Sequence, residues 1–252
     1  MGTTSAPPTR PVVPYGAGDK HAAVRAMFGR IAGRYDLMNR VMTGGMDGRW
    51  RRIAAAAAAL PDGGAALDVG TGTGDLALEL ARGAPGAAVI GVDYTGAMLD
   101  RAPAKAARAG LAARLAWARG DGQRLPFRDG AFDAVTSAFV LRNFADLDAA
   151  MAEMARVTRP GGRVVALEIS PLEGTPWSAA FNAYFRHVVP RVGALIAGDP
   201  GAYRYLPASA AAFLAPEGVA RSMRAAGLEP LPVRRLMGGA LAIHRGVRRA
   251  VG

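Results

Sequence analysis

Ala65-Ala66-Leu67-Asp68-Val69-Gly70-Thr71-Gly72-Thr73-Gly74-Asp75 passes from an apolar run into three glycines at alternate positions. From Leu76 to Arg82 it continues in helix-forming residues with an apolar face. The first five residues read as a short buried strand and the last seven as the start of a helix. The glycines supply main chain without a Cβ where the turn is sharpest. A strand, a glycine-rich turn and a helix N-terminus form a nucleotide cradle, in which backbone approaches the ligand and the helix start adds donors.

The spacing is not that of a dinucleotide fold. From Gly70 it runs G-x-G-x-G-D, without the third glycine of G-x-G-x-x-G, and no Gly-Lys-Ser/Thr follows as a phosphate grip would need. Asp93 closes the next apolar run, where a carboxylate can accept both ribose hydroxyls of an adenosine. Asp75, directly after the turn, would repel a pyrophosphate. An adenosine ligand bearing a positive group, such as S-adenosylmethionine, is the expected cofactor.

The surrounding pattern is alternating. Strands are expected at 65–69, 87–93, 113–119, 132–139, 163–169, 228–236 and 240–244, with helices at 76–82, 96–109, 147–157 and 216–226. Pro160-Gly161-Gly162 should stop the third of these helices. This is an α/β chain with a doubly wound, mainly parallel, seven-stranded sheet, and its sites belong at the carboxyl ends of the strands. Asp93, Asp121 and the Arg142-Asn143 pair all fall at such ends. Residues 1–18, rich in proline, read as a flexible leader, and 19–252 as one domain. Within it, 19–60 form a helical cap, in which the Met-rich segment 34–46 is either an adaptable lid or an amphipathic helix. The aromatic-rich segment 175–213 is an insertion capping the site.

Composition excludes other chemistry. The chain of 252 residues has no cysteine, and its three histidines, His21, His187 and His244, are far apart, so no metal site is expected. No run approaches the ~18 uncharged apolar residues of a membrane span, and the N-terminus lacks the apolar centre of a secretion signal. The expectation is a soluble, cytoplasmic protein. The net charge of +11 invites a nucleic-acid reading. Yet all cations except Lys20 and Lys105 are arginine, beside abundant Ala, Gly and Pro, as a GC-biased genome produces. No basic, aromatic-interleaved motif occurs, and no nucleic-acid partner is expected.

Six segments, in this order, carry a resemblance: Gly33-Arg34-Tyr35-Asp36-Leu37-Met38-Asn39, the glycine turn itself, Arg124-Leu125-Pro126-Phe127, Phe139-Val140-Leu141-Arg142-Asn143, Arg159-Pro160-Gly161-Gly162 and Tyr203-Arg204-Tyr205-Leu206-Pro207-Ala208-Ser209. They resemble the ubiquinone/menaquinone biosynthesis C-methyltransferases, most of all the demethylmenaquinone group, over roughly residues 24–246. The resemblance implies a class I, Rossmann-like S-adenosylmethionine-dependent methyltransferase acting on a ring carbon of a prenylated hydroquinone, demethylmenaquinol to menaquinol. The alternatives are the ubiquinone precursor and another hydroxylated aromatic. A methyltransferase-like binding protein without turnover is a reading of a different class. The family usually has a small residue where this chain has Val140, and alanine-glutamate at Gly122-Gln123. Val140 is therefore expected to narrow the substrate pocket.

Methyl transfer needs an in-line approach at ~3–3.5 Å and an electron-rich ring, which deprotonation of a phenol of pKa ~10 provides. On this reading Asp93, with Tyr94 beside it, takes the ribose hydroxyls. Asp121 and Gly122 take the adenine edge. Gly70, Gly72 and Thr73 lie beneath the methionine part, and Asp75 or Asp68 meets its ammonium. Arg142 and Asn143 face the ring oxygens; arginine stabilises a phenolate better than it removes a proton. The base is water, Tyr35, His187 or Asp199, and Tyr203 completes the substrate set. The lipid tail implies contact with an anionic membrane surface through Met38, Met42 and Met46 with Arg40, Arg49, Arg51 and Arg52, plus the aromatic stretch from Trp177 to Phe185. A homodimer is a further expectation.

Overall fold

The computed structural model describes residues 17–172, 178–189, 191–193 and 200–249. The apolar runs become seven strands: β1 (Ala65–Val69), β2 (Ala88–Asp93), β3 (Leu115–Arg119), β4 (Phe132–Ala138), β5 (Thr158–Ile169), β6 (Leu228–Leu236) and β7 (Leu241–Arg248). Their order in the sheet is β3-β2-β1-β4-β5-β7-β6. The first five are parallel, and β7 runs antiparallel between β5 and β6. The order reverses between β1 and β4, which opens a crevice at the carboxyl ends of the central strands.

Helices cover both faces: α1 (Ala17–Ile31), α2 (Tyr35–Met42), α3 (Asp47–Ala57), α4 (Asp75–Gly83), α5 (Gly96–Leu99), α6 (Ala102–Arg108), α7 (Leu147–Val157), α8 (Ser178–Ala183), α9 (Pro200–Ala211) and α10 (Pro216–Ala225). Because side chains alternate along a strand, β5 feeds two cores at once. Val165, Leu167 and Ile169 join the layer of Leu76 and Leu80, while Val164 and Ala166 join that of Met151, Met154 and Met223.

Several boundaries differ from the sequence expectation, three of them with a clear physical reason or consequence. The helix expected over 96–109 is two, α5 and α6, since Pro103 lacks an N–H and stands in the first turn of a new helix. Pro160-Gly161-Gly162 does not separate a helix from a strand; it lies inside β5, where the pairing with β4 shifts register between Phe132 and Ala134. The last strand is longer than expected, running to Arg248.

The cap has its own small core, with Val24, Met27 and Ile31 of α1, Met38 of α2 and Tyr205 of α9 packed together. Two lysines fasten it to the sheet domain. Lys20 Nζ donates to the carbonyls of Arg142 and Phe144 at 3.0 and 2.8 Å. Lys105 Nζ, on α6, donates to Asp36 Oδ2 of α2 at 2.9 Å.

Candidate active site

Gly70, Gly72 and Gly74 all adopt positive φ, between +58° and +89°, a region costly to any residue with a Cβ. At Gly70 space is short as well: a Cβ would lie 2.6 Å from the Val140 side chain. Val140 thus seats on the glycine turn and lines the smaller of two adjoining cavities.

Asp68 braces the turn from below. Its Oδ2 accepts from the Thr71 hydroxyl at 2.7 Å and its Oδ1 from the Thr136 hydroxyl at 2.8 Å. Burial pushes its pKa up to about 6, against the pull of those two hydrogen bonds. It does not line either cavity, so its role differs from the ammonium contact expected for it. Asp93 accepts from the Gly72 N–H and the Thr95 N–H, both at 2.8 Å. Burial raises its pKa, and these backbone donors oppose the rise.

Asp93, Tyr94, Asp121, Gly122, Gly70 and Gly72 gather around the smaller cavity, of about 90 Å³. The cap residues Phe28 and Tyr35 close it from above. Gly122 has no room for a Cβ, which would lie 2.7 Å from Phe144 and 2.8 Å from Val69. Thr73 and Asp75, expected in the same set, turn outward to the cap. The Thr73 hydroxyl donates to Asp36 Oδ1 at 2.6 Å and accepts from Lys105 at 2.9 Å. Asp75 forms an ion pair with Lys105. With a cation already beside it, Asp75 serves the cap junction and is not placed for an ammonium ligand. Burial works against ionisation of Asp36, yet the hydrogen bonds from Thr73 and Lys105 hold its pKa below the usual carboxylate range.

The larger cavity, about 420 Å³, lies on the other side of a shared wall made by Phe28, Tyr35 and Phe139. Its lining is apolar and aromatic, including Met27, Trp50, Phe181 and Leu206, with the guanidiniums of Arg51 and Arg142 set into it. Phe139 is a non-glycine residue at φ +62°. Its N–H donates to the Leu167 carbonyl, and its own carbonyl accepts from Arg142 Nη1 at 2.8 Å and from the Asn143 amide at 3.4 Å.

Arg142 pairs with Glu168, which is 0% exposed and also accepts from the backbone N–H of Ile169 at 2.9 Å. Asn143 lines the smaller cavity and accepts from the Tyr205 hydroxyl at 3.1 Å. Burial raises the Tyr35 pKa despite nearby Arg51, so this phenol holds its proton and is a poor base. His187 is exposed and lines neither cavity, and its carbonyl accepts from Arg191. Asp199 and the side chain of Tyr203 lie outside the described residues. Among the described residues no His, Cys, Asp and Glu cluster can hold a metal, and no helix is long and apolar enough to cross a membrane.

Of the surface expected to meet a membrane, Met46 and Tyr184 are exposed beside the larger cavity, but two members are not. Met38 is 0% exposed and Arg51 5% exposed, both drawn inward by packing. The exposed apolar groups are Val41, Met46, Tyr184 and Met237, which also line the cavity, with Leu37 and Val188 close by in sequence. The Tyr184 hydroxyl bridges to the Met42 carbonyl at 2.7 Å. Sequence reading gave Glu168 and Tyr205 no role in the site and placed Arg51 on the membrane-facing surface. Asp47, one helical turn before Arg51, is the signal that was available for that residue.

The family described as the ubiE/COQ5 methyltransferase family matches residues 17–248. A demethylmenaquinone methyltransferase of Deinococcus radiodurans is 51% identical over 209 residues, 83% of this chain and 86% of that protein. Its counterpart in Thermus thermophilus is 49% identical, covering 88% of this chain and all of the relative. A ubiquinone/menaquinone biosynthesis C-methyltransferase of Desulfotalea psychrophila is 42% identical, covering 91% and 92%. Among solved structures, the [4+2]-cyclase SpnF superposes with a TM-score of 0.68 at 19% identity, covering 90% of this chain and 96% of its own. A geranyl diphosphate methyltransferase in complex with SAM gives 0.57 at 18%, covering 80% and 85%. These two likenesses concern the fold alone.

Proposed function

This chain belongs to the ubiE/COQ5 methyltransferase family, and from that premise we propose that it methylates a ring carbon of a prenylated hydroquinone, demethylmenaquinol, using S-adenosylmethionine. The observation that carries the reading is the pair of adjoining cavities. One is lined by glycine backbone and strand-end carboxylates; the other is apolar with buried guanidiniums; both share the wall at Tyr35 and Phe139. The lining chemistry fits the cofactor, and at about 90 Å³ the cavity takes it only once Phe28 and Tyr35 of the cap draw back. Gly72, at positive φ, has open space where a Cβ would stand, and Asp93 lines the same cavity at a strand end. When bound, S-adenosylmethionine supplies an electrophilic sulfonium methyl.

The chain's own residues do the rest. Asp93 receives the ribose hydroxyls, with Tyr94 beside it, and Asp121 and Gly122 meet the adenine. Arg142 stabilises negative charge on a ring oxygen, in an apolar surround that strengthens the attraction. Glu168 holds its orientation through the buried ion pair. Asn143, tied to Tyr205, reaches from the smaller cavity toward the same junction. A cavity of about 420 Å³ suits a bicyclic ring, since ligand sites commonly span ~300–1000 Å³.

The isoprenoid tail leaves through the mouth bounded by Val41, Met46, Tyr184 and Met237. The enzyme therefore works docked on the cytoplasmic face of an anionic membrane. The exposed Arg40, Arg49 and Arg186 support this, placed on the same segments as the apolar rim. Self-association through the rim is the competing occupant, and it would give a dimer in lipid-free sedimentation. The deciding experiment is incubation with methyl-labelled S-adenosylmethionine and either reduced demethylmenaquinone or the ubiquinone precursor, followed by mass analysis. Label in the naphthoquinol is the expected result. Label only in the ubiquinone precursor would replace the substrate, and label in neither would end the reading.

A further inference from the structure

Of the arginines in Arg49-Trp50-Arg51-Arg52, those at 49 and 52 are exposed, while Arg51 is buried in the wall of the larger cavity. A charge run on a surface helix has no reason to bury one member, since burying a cation carries a desolvation cost. Its partner is Asp47, one turn earlier, with Nη1 to Oδ2 at 2.8 Å. The guanidinium carbon lies 5.3 Å from the centroid of the Phe139 ring, within cation–π range.

Arg142, in the same cavity, meets the same residue through its hydrogen bond to the Phe139 carbonyl at 2.8 Å. Two buried cations thus converge on one aromatic residue of the shared wall, each held by its own carboxylate. Tyr35, on that wall, feels the field of both. A hydroquinone carries its oxygens at opposite ring positions, so a ring lying against Phe139 offers one oxygen to each guanidinium.

We propose that Arg51 contacts the second ring oxygen of the hydroquinone and, with Arg142, fixes which ring carbon faces the smaller cavity. The proposal rests on the hydroquinone reading above. With both oxygens held, the ring cannot rotate in its plane, and the phenol ionises more readily beside two cations than beside one.

The test is Arg51→Gln, assayed with a short-tailed demethylnaphthoquinol and S-adenosylmethionine across pH, with the exposed Arg52→Gln as control. The expected result is a fall in kcat/KM of roughly ten- to a hundredfold, as for a lost charge-assisted hydrogen bond. The ascending limb of the pH profile should move up by about one to three pH units, while calorimetric affinity for S-adenosylmethionine is unchanged. A limb that stays in place with kcat/KM within twofold of the parent overturns the proposal.

Should the glutamine variant not fold, Arg51→Lys decides. It keeps the limb in place but raises KM if the planar fork holds an oxygen, and an unchanged KM overturns the proposal. If the parent enzyme methylates no hydroquinone, the functional reading falls first. Arg51 is then judged on 2-hydroxy-1,4-naphthoquinone, an anionic ring of similar outline. Its affinity, followed through the cavity-lining Trp50, drops about tenfold or more in Arg51→Gln if the residue holds ring oxygens, and is unchanged if it does not.

Discussion

On the glycine side of Phe139 the inner cavity wall is largely main chain, roofed by side chains of α1 and α2. It comes from the ends of β1, β2 and β3, held in register by ladder hydrogen bonds such as those pairing Val69 with Val92 and Asp93 with Arg119. On the other side the wall is side chains from α1, α2, α3, the segment 178–189, α9 and the turn before β7. The first wall can change only by moving the sheet. The second can be refurnished one residue at a time. A parallel sheet thus offers a fixed donor site beside an adjustable acceptor site, in keeping with a fold that is also found in a [4+2]-cyclase.

The hardest strike at the adjustable side is Glu168→Ala. It leaves Arg142 buried without its partner, and unfolding in urea should show a loss of about 3–5 kcal/mol. The double change Arg142→Met with Glu168→Leu should recover most of that stability and none of the methyl transfer. Full activity in the double variant would show that the acceptor wall needs no buried charge.

On the fixed side, Asp68 tests how much strain the sheet absorbs. The native carboxyl keeps its proton to about pH 6, whereas in the unfolded chain it is released near 3.8. Between those values the native state binds more protons, so this group makes stability fall as the pH rises, by about 3 kcal/mol in all. Asp68→Asn should remove that slope from stability curves measured between pH 4 and 6. An unchanged slope would assign it elsewhere.

Gly70→Ala is a smaller change at the same place. A Cβ at φ +67° costs about 1–2 kcal/mol, and it meets Val140 besides. Adding Val140→Gly should relieve the clash and leave the dihedral cost, recovering part of the cofactor affinity seen by calorimetry. If the single variant binds cofactor as the parent does, the turn is more pliable than its strand ends imply.

The gentlest effect belongs to the mouth. Changing Arg40 and Arg49 to Gln should weaken sedimentation with anionic vesicles by about 1 kcal/mol per cation, with the difference fading as salt rises. Equal binding by both proteins would move the docking face elsewhere on the molecule.

The same division explains what could be read in the chain. The strand Ala65–Val69, the turn and the carboxylate ending β2 are local patterns, since backbone geometry demands those residue types at that spacing. The partnership of Arg142 with Glu168 joins the turn after β4 to β5, across 26 residues of sequence. That of Lys105 with Asp75 and Asp36 depends on where α2 comes to rest. No local rule contains such pairings, so Asp75 was read as facing a ligand when it faces a lysine. Met38 looked like a surface anchor for the same reason. Its burial is decided by α1 and α9, not by its neighbours in sequence.

The clasp of the cap has a practical side. Lys20 and Lys105 are the chain's two lysines, and both hold the cap to the sheet domain. Burial lowers the Lys20 pKa, which favours its nucleophilic form wherever a reagent can reach it. An amine-reactive acylating agent will thus mark, apart from the N-terminus, only the two fastenings of the cap. The rate at which each lysine is labelled, read by mass spectrometry with and without ligand, reports how often that end of the cap lets go. The chain carries its own pair of chemical reporters, with no label engineered into it.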